Sequence, residues 1–322
     1  MFGTTALFHD RRRLAEQLPA DSLALRYVEP NDLTGYRPML VCETDLQAVP
    51  VYSFRLPSEQ RGALVVGNER HGVAHALRLM ADHTVGIPLS STRLSSLNVA
   101  AAAAVALYHI GNPSSSSRQA RRGLERLRPE VLLLGATNHF ELGSTLRSAA
   151  AFGWVQVLVD DRAGVWFGVE RGMRAEGRDA ARRARNPIRL HRSEPVDHYD
   201  FNEVVVVTAS GMGIPVQRVR LTGGSSQLLV VADESVDNVE SGGWERLGKR
   251  VTLATLGLPP LSQHYRYCLV ASIALSEVSR QLGHPTPVRP PGPPGGLRYT
   301  FAVNIGSPKP AELVSADELV EY

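Results

Sequence analysis

Apolar runs rich in β-branched residues recur along the chain at 38–42, 63–67, 131–135, 155–159, 203–208 and 227–232. Between them the apolar spacing changes to that of helices, over 97–110, 143–152 and 267–282. Short, wholly apolar runs have the length and composition of strands buried on both faces. Strands alternating with helices imply a parallel sheet with helices covering its two sides. The pattern therefore predicts an α/β chain with mainly parallel sheets.

The pattern also repeats. With a shift of 165 positions and no gap, residues 39–69 face residues 204–234, matching Pro50 to Pro215, Arg55 to Arg220, Leu56 to Leu221 and Glu69 to Glu234. Upstream, ALFHDRR (6–12) is similar to VLVDDRA (157–163); downstream, AAVALYHI (103–110) is similar to ASIALSEV (271–278). Two copies of one α/β unit follow from this self-similarity. They are unequal, because the second copy carries an extra segment, 128–154, ahead of its VLVDDR strand. The resulting division is a first unit over 1–112, a Ser-rich linker over 113–127, a second unit over 128–283 and a Pro/Gly-rich tail over 284–322.

Composition narrows the class without naming an activity. A chain of 322 residues that is 43% hydrophobic and 21% charged is built to fold as a soluble globular protein. No apolar stretch reaches the roughly 18 residues a membrane span needs. At the N-terminus the basic cluster follows the apolar residues, which is not a signal-peptide layout, so a cytoplasmic protein without membrane partners is expected. The two cysteines, Cys42 and Cys268, lie far apart in apolar runs and read as buried, reduced thiols. Nothing in the sequence suggests a metal site. The net charge is only +3, but 33 of the 35 basic residues are arginine, clustered at 11–13, 118–128 and most densely 171–192. Guanidinium groups grip phosphates bidentately, so the last cluster could hold an RNA backbone; it could equally be a solvated helix face in an arginine-rich protein.

Two segments carry candidate chemistry. In ALVVGNERHGV (63–73) an apolar strand ends at Gly67, followed by Asn68, Glu69 and a second glycine, Gly72. Open α/β sheets bind ligands at the carboxyl ends of their strands, where glycine lets backbone approach closely. In VGIPLSSTRLSSLNVAAAAAVALYHI (85–110) a short strand runs into Ile87-Pro88, then a polar loop, then Ser96-Leu97-Asn98 at the head of an alanine-rich helix. Ser95 or Ser96 is the expected N-cap.

Together, VVGNERHG, IPL and SSLNVAAAAAVALY resemble the second and third motifs of the SpoU/TrmH branch of the SPOUT methyltransferases, with Gly67 and Ile87 at that pattern's spacing. Residues 131–154 resemble the family's first motif through Gly143, Arg147, Phe152 and Gly153, with Glu141 where the family has asparagine. The order departs from the family's, since here the first motif follows the other two. The second copy has VVADESVDN in place of VVGNERHG, and roughly His264-Tyr265-Arg266 in place of Ser96-Leu97-Asn98.

The resemblance implies tandem trefoil-knotted SPOUT-type units arranged as an intrachain pseudo-dimer, with one S-adenosylmethionine site in the first knot. Gly67, Asn68, Gly72, Ile87 and Leu97 would bind the donor. Arg147, Glu141, Glu69, Ser96 and Asn98 would serve the reaction. Circular permutation, with 128–154 completing the first unit's sheet, is the competing arrangement. The acceptor implied is RNA, at a ribose 2′-oxygen or a base. A small-molecule acceptor with Glu141 as base, and a non-catalytic RNA-binding remnant, are the alternatives, and the pseudo-dimer could itself dimerise.

Overall fold

The structure is a computed structural model that describes residues 6–8, 25–27, 30–44, 48–55, 62–67, 72–90, 94, 96–112, 128–161, 164–168, 175–182, 185–193, 200–211, 213–233, 244, 247–258 and 265–283. The expected linker and tail, together with Asn68 and Glu69, lie outside the described residues.

In chain order the strands are β1 (Ala6–Phe8), β2 (Leu25–Tyr27), β3 (Met39–Cys42), β4 (Val49–Pro50), β5 (Ala63–Val66), β6 (His83–Gly86), β7 (Glu130–Leu134), β8 (Gln156–Asp160), β9 (Arg189–Arg192), β10 (Phe201–Thr208), β11 (Ile214–Pro215), β12 (Gln227–Ala232) and β13 (Gly248–Thr255). The helices are α1 (His75–Met80), α2 (Val99–Gly111), α3 (His139–Ala151), α4 (Ala175–Ala180) and α5 (Tyr267–Leu282). Among the described residues all the strand pairings are parallel. The chain is therefore α/β with parallel sheets, as the pattern predicts.

One sheet runs β4-β6-β3-β5; the larger runs β11-β13-β10-β12-β7-β8-β9. The first four strands of the larger sheet repeat the order of the smaller one. Register repeats as well: Met39 pairs with Ala63 and Val204 with Leu228, the same separation in both copies. The self-similarity read from the sequence is thus a repeat of topology and pairing. Beyond β12 the larger sheet goes on to β7, so residues 128–154 complete the second sheet and not the first. Among the described residues of the first copy, β1 and β2, matching β8 and β9 in the repeat, form a two-stranded sheet of their own.

The largest core lies where the two copies meet. It joins Leu94, Leu97, Ala101, Val105 and Tyr108 of the first copy to Leu142, Leu146 and Ala149 of α3 and to Ala271, Leu275 and Val278 of α5. The small residues of α2 let it pack directly on α5, which is buried along nearly its whole length. Buried serines are tolerated there because their hydroxyls are satisfied. Ser272 donates to Cys268 O at 2.6 Å and Ser276 to Ile273 O at 2.7 Å.

Polar groups cross this helix pair reciprocally. The Tyr52 hydroxyl donates to Ser276 O at 3.5 Å, and Gln217 Nε2 donates to the Tyr108 hydroxyl. In the repeat, Tyr52 corresponds to Gln217 and Tyr108 to Ser276, so exchanging the copies turns one contact into the other. His109 Nε2 sits 2.8 Å from Ser276 Oγ, and its Nδ1 lies 3.9 Å from the fully buried Glu277 carboxylate. Arg280 holds Glu277 in a fork, at 2.8 and 2.6 Å. Burial, then the charge of Glu277, raises both the Tyr52 and Tyr108 hydroxyls well above the usual tyrosine range, so both stay neutral.

Cys42 and Cys268 are free thiols. Burial, then the charge of Glu43, pushes the Cys42 thiol up to about 11; burial, then Glu141, does the same for Cys268. A raised value lowers the thiolate fraction at neutral pH, and the thiolate is the nucleophile. In native protein at pH 8, iodoacetamide is therefore expected to modify both more than tenfold slower than a free cysteine. Mass spectrometry of the time course, against the unfolded chain, checks this. Equal rates in the two states would contradict it.

Candidate active site

The carboxyl edge of the small parallel sheet gathers three of the singled-out segments. Cys42 pairs with Val66 on one side and Val85 on the other, so the residues after β3, β5 and β6 emerge next to one another. These are Glu43, Gly67 and Ile87. Gly67 lies against the backbone of the same loop's far end: a Cβ there would fall 2.4 Å from Gly72 C and 2.7 Å from Val73 N. Only glycine fits. Gly72 has φ +68, the left-handed region that glycine adopts without strain. Gly67 and Gly72 are thus brought into contact at the sheet edge.

Glu43, which sequence reasoning passed over, braces that loop. Its carboxylate accepts from Val73 N at 3.3 Å and pairs with Arg78 at 3.0 Å, while Arg78 Nε donates to Val73 O at 3.1 Å. Its place one residue beyond a buried strand, beside the Gly67 loop, is the signal that could have found it.

The second loop, 87–98, is clamped at both ends by the second copy. Near its start, Ser90 N donates to Ala151 O at 2.8 Å, and Arg128 reaches Ser90 Oγ at 3.0 Å. Gly153, from the Ala-Phe-Gly turn after α3, makes room for this: a Cβ there would sit 2.9 Å from Ser90 Cβ. Near its end, Arg147 Nε donates to Ser96 O and its NH2 group to Ser96 Oγ, both at 3.0 Å. Arg147 is 1% exposed, whereas Ser96 is open to solvent. The guanidinium therefore works from beneath, holding both the carbonyl and the hydroxyl of one exposed loop residue. Leu97, 8% exposed, points into the shared core, which leaves its backbone rather than its side chain to face a ligand. Ile87 packs against both the shared core and the first copy's own core.

The helix cap differs from expectation. Asn98, not Ser95 or Ser96, caps α2, its Oδ1 accepting from Ala100 N at 2.9 Å. The helix begins at Val99, so Asn98 is the residue with an extended backbone next to the orphan N–H groups. That releases Ser96 for Arg147.

Glu141 goes elsewhere. It is buried in the first turn of α3, its N–H bound by the Asn138 cap at 2.9 Å. Its carboxylate meets Arg266 at 3.5 Å and Thr137 at 3.4 Å. Arg266 is the N-cap residue of α5 and so occupies in the second copy the place of Asn98. The two motif residues of α3 thus diverge: Arg147 turns to the first copy's loop and Glu141 to the second's. Where the first copy has Gly67, the second has the fully buried Ala232.

Residues 26–108 match the SpoU rRNA Methylase family model. The match spans β2 through most of α2, and includes residues 67–72 and 87–98. The SpoU methyltransferase AviRb from Streptomyces viridochromogenes, solved with AdoMet, aligns at 17% identity over 50% of this chain and 63% of its own, with a TM-score of 0.37. An AdoMet-bound rRNA methyltransferase from Sinorhizobium meliloti aligns at 16% over 52% and 61%, TM-score 0.37. A TrmH-family RNA methyltransferase from Porphyromonas gingivalis, described as putative in its own name, aligns at 14% over 65% and 80%, TM-score 0.34. The chain spans less than two thirds of the length of the first two of these relatives. No curated protein sequence matches it. No helix among the described residues is long and apolar enough to cross a membrane.

Proposed function

We propose that this chain is an S-adenosylmethionine-dependent methyltransferase acting on RNA, at a ribose 2′-oxygen or a base. The donor loops lie in the SpoU-like first unit (1–112), and the second unit (128–283) supplies Arg147. The observation that carries the reading is the double hydrogen bond from buried Arg147 to exposed Ser96, made across the two copies at a loop that the family match includes.

The donor fits the sheet edge in kind. It is a large, partly polar molecule, and the described residues at this edge offer the close-packed glycines Gly67 and Gly72 and the apolar flank of Ile87. Gly67, Asn68, Gly72, Ile87 and Leu97 are the residues assigned to hold it; bound there, it supplies an electrophilic methyl group on a sulfonium. Because Ser96 Oγ accepts from Arg147, its own proton is left to donate to the acceptor. Asn98 spends its carbonyl on the helix and keeps its amide N–H groups for the same purpose. Glu69, on the donor loop, is the carboxylate assigned to the acceptor's proton. Arg147 acts through Ser96, fixing the loop and lending positive charge to the hydroxyl. Glu141, held by Arg266, is assigned to shaping the second unit's loop.

The pseudo-dimer belongs to the same proposal. Reciprocal contacts such as Tyr52 to Ser276 and Gln217 to Tyr108 are the mark of a two-fold interface, in which residue i meets j and j meets i. A trefoil knot in each unit goes with this arrangement. The test is calorimetry with S-adenosylmethionine, followed by transfer of a labelled methyl from the donor to bulk RNA. Donor binding with labelled RNA is the expected result. No donor binding sinks the enzyme reading, and donor binding with unlabelled RNA moves the acceptor to a small molecule.

A further inference from the structure

The second unit carries a built surface that the donor site does not use. A cavity of about 170 Å³ opens between α3, the 164–168 loop and β9, lined by Leu146, Trp166, Phe167, Ala181, Ile188 and Leu190. It is too small for a drug-sized ligand, which takes about 300 Å³ or more, and suits one planar ring system. Its aromatic wall is rigid. The buried Asp161 carboxylate accepts from Trp166 N at 3.1 Å and Phe167 N at 2.7 Å. Gly164, at φ +65, and Gly168 close the loop so tightly that a Cβ on Gly168 would lie 2.8 Å from Gly164. Trp166 is buried at 8% exposure, but Phe167 stands 40% exposed on this fixed turn. Asn186 also lines the cavity, its side chain bound to Leu146 O, Ala181 O and Ile188 N, so the walls are part polar and part aromatic, with the polar side chain already held by the protein.

The rim is cationic. Arg182, Arg185, Arg189 and Arg192 are all exposed along the turn after α4 and the edge strand β9, with Arg178 half-buried behind them. Carboxylates lie in the same region: Asp179, Asp160 at the end of β8 beside Arg192, and Glu176, which is within 3.6 Å of His139. An exposed aromatic ring framed by guanidinium groups is the combination that takes single-stranded nucleic acid. The ring stacks a base of any identity while the cations follow the phosphates.

We infer that this pocket takes an unpaired nucleobase of an RNA strand, stacked on Phe167, with the adjoining phosphates on Arg182, Arg185 and Arg189. The inference rests on the reading of the acceptor as RNA and adds where the strand is held. The subsite shares α3 with the reaction centre: Leu146 lines the pocket and Arg147, the next residue, reaches Ser96. A nucleotide held here therefore anchors the strand on the helix that also carries Arg147.

The test uses the full chain, fluorescein-labelled oligo(A) and an abasic strand of equal length, read by fluorescence anisotropy. Phe167→Ala is expected to weaken oligo(A) about tenfold, the loss of one stacked base, while Phe167→Tyr keeps the affinity. The abasic strand binds wild type and Phe167→Ala alike. Arg182→Gln and Arg189→Gln each weaken both strands and flatten the log–log salt dependence by about 0.7. Donor calorimetry on the same variants separates lost RNA contact from lost fold. Oligo(A) binding that ignores Phe167→Ala, or equal competition by polyglutamate, overturns the inference. If RNA is nonetheless methylated, the proposed function stands without this pocket. If RNA is never labelled but oligo(A) binding depends on Phe167, the pocket stands and the acceptor assignment falls.

Discussion

Gly67→Ala is expected to weaken S-adenosylmethionine binding about a hundredfold, read by calorimetry. The new Cβ would stand 2.4 Å from a backbone carbon of Gly72. Backbone on both sides has nowhere to yield, because Val73 is tied to Glu43 and Arg78. Forcing a methyl into close-packed surroundings costs about 1–3 kcal/mol, and the upper end of that range is a hundredfold in affinity. The distortion falls on the loop assigned to the donor, while the shared core, built on α2, α3 and α5, is left alone. A melting temperature lowered by only a few degrees, with the core still folded, should therefore accompany the lost affinity. Full-strength donor binding in Gly67→Ala would remove the 67–72 loop from the site.

Arg147→Ala should cut methyl transfer by about a hundredfold or more, the scale seen when one preorganised donor is removed from a reaction centre. It should also destabilise the fold by about 3 kcal/mol, since a buried charged donor loses two hydrogen bonds and leaves Ser96 O with fewer partners. Stability alone would not prove a role in the reaction. The decisive comparison is Arg147→Lys, which keeps the charge but not the planar fork that spans the Ser96 carbonyl and hydroxyl together. If Arg147 positions Ser96, the lysine variant stays folded and binds donor while turnover remains low. Turnover recovered in the lysine variant would mean that charge alone suffices and that the fork is incidental.

Much of the fold was legible because the chain repeats its own pattern. The strand runs at 63–67 and 227–232 sit one shift apart, and the structure gives them the same partners in the same register. What stayed hidden is instructive. Strand β13 carries polar residues in GKRVTLAT and shows no apolar run, yet pairing with the buried β10 makes it a strand. The arginine-rich stretch after 171 looks uniform in sequence. Its described residues hold one short helix, left-handed Arg182 and an edge strand, and the apolar residues Ile188 and Leu190 face a pocket. The Asn98 cap was masked by two serines that are equally good cap formers, and only the tertiary demand of Arg147 on Ser96 separates them. The motif glycines, by contrast, were readable because close backbone approach leaves one residue type available. Glu141 shows the limit of reading by motif position: its neighbours on α3 match the pattern, but its carboxylate is claimed by a residue 125 positions further on.

In the proposed pseudo-dimer, the axis between α2 and α5 would place unlike residues face to face: His109 of one copy meets Ser276 and Glu277 of the other, at the position where repeat symmetry would set His109 against its own counterpart. In an assembly of two identical chains every residue on such an axis meets itself, so the choice there would be imidazole against imidazole or carboxylate against carboxylate. Two carboxylates sealed at this depth would repel, and one would have to give up its charge. Covalent joining removes that restriction. Each side of the seam can be tuned alone, and a complementary acid–base couple becomes possible at the very centre, something that no swap of partners between two chains could reproduce.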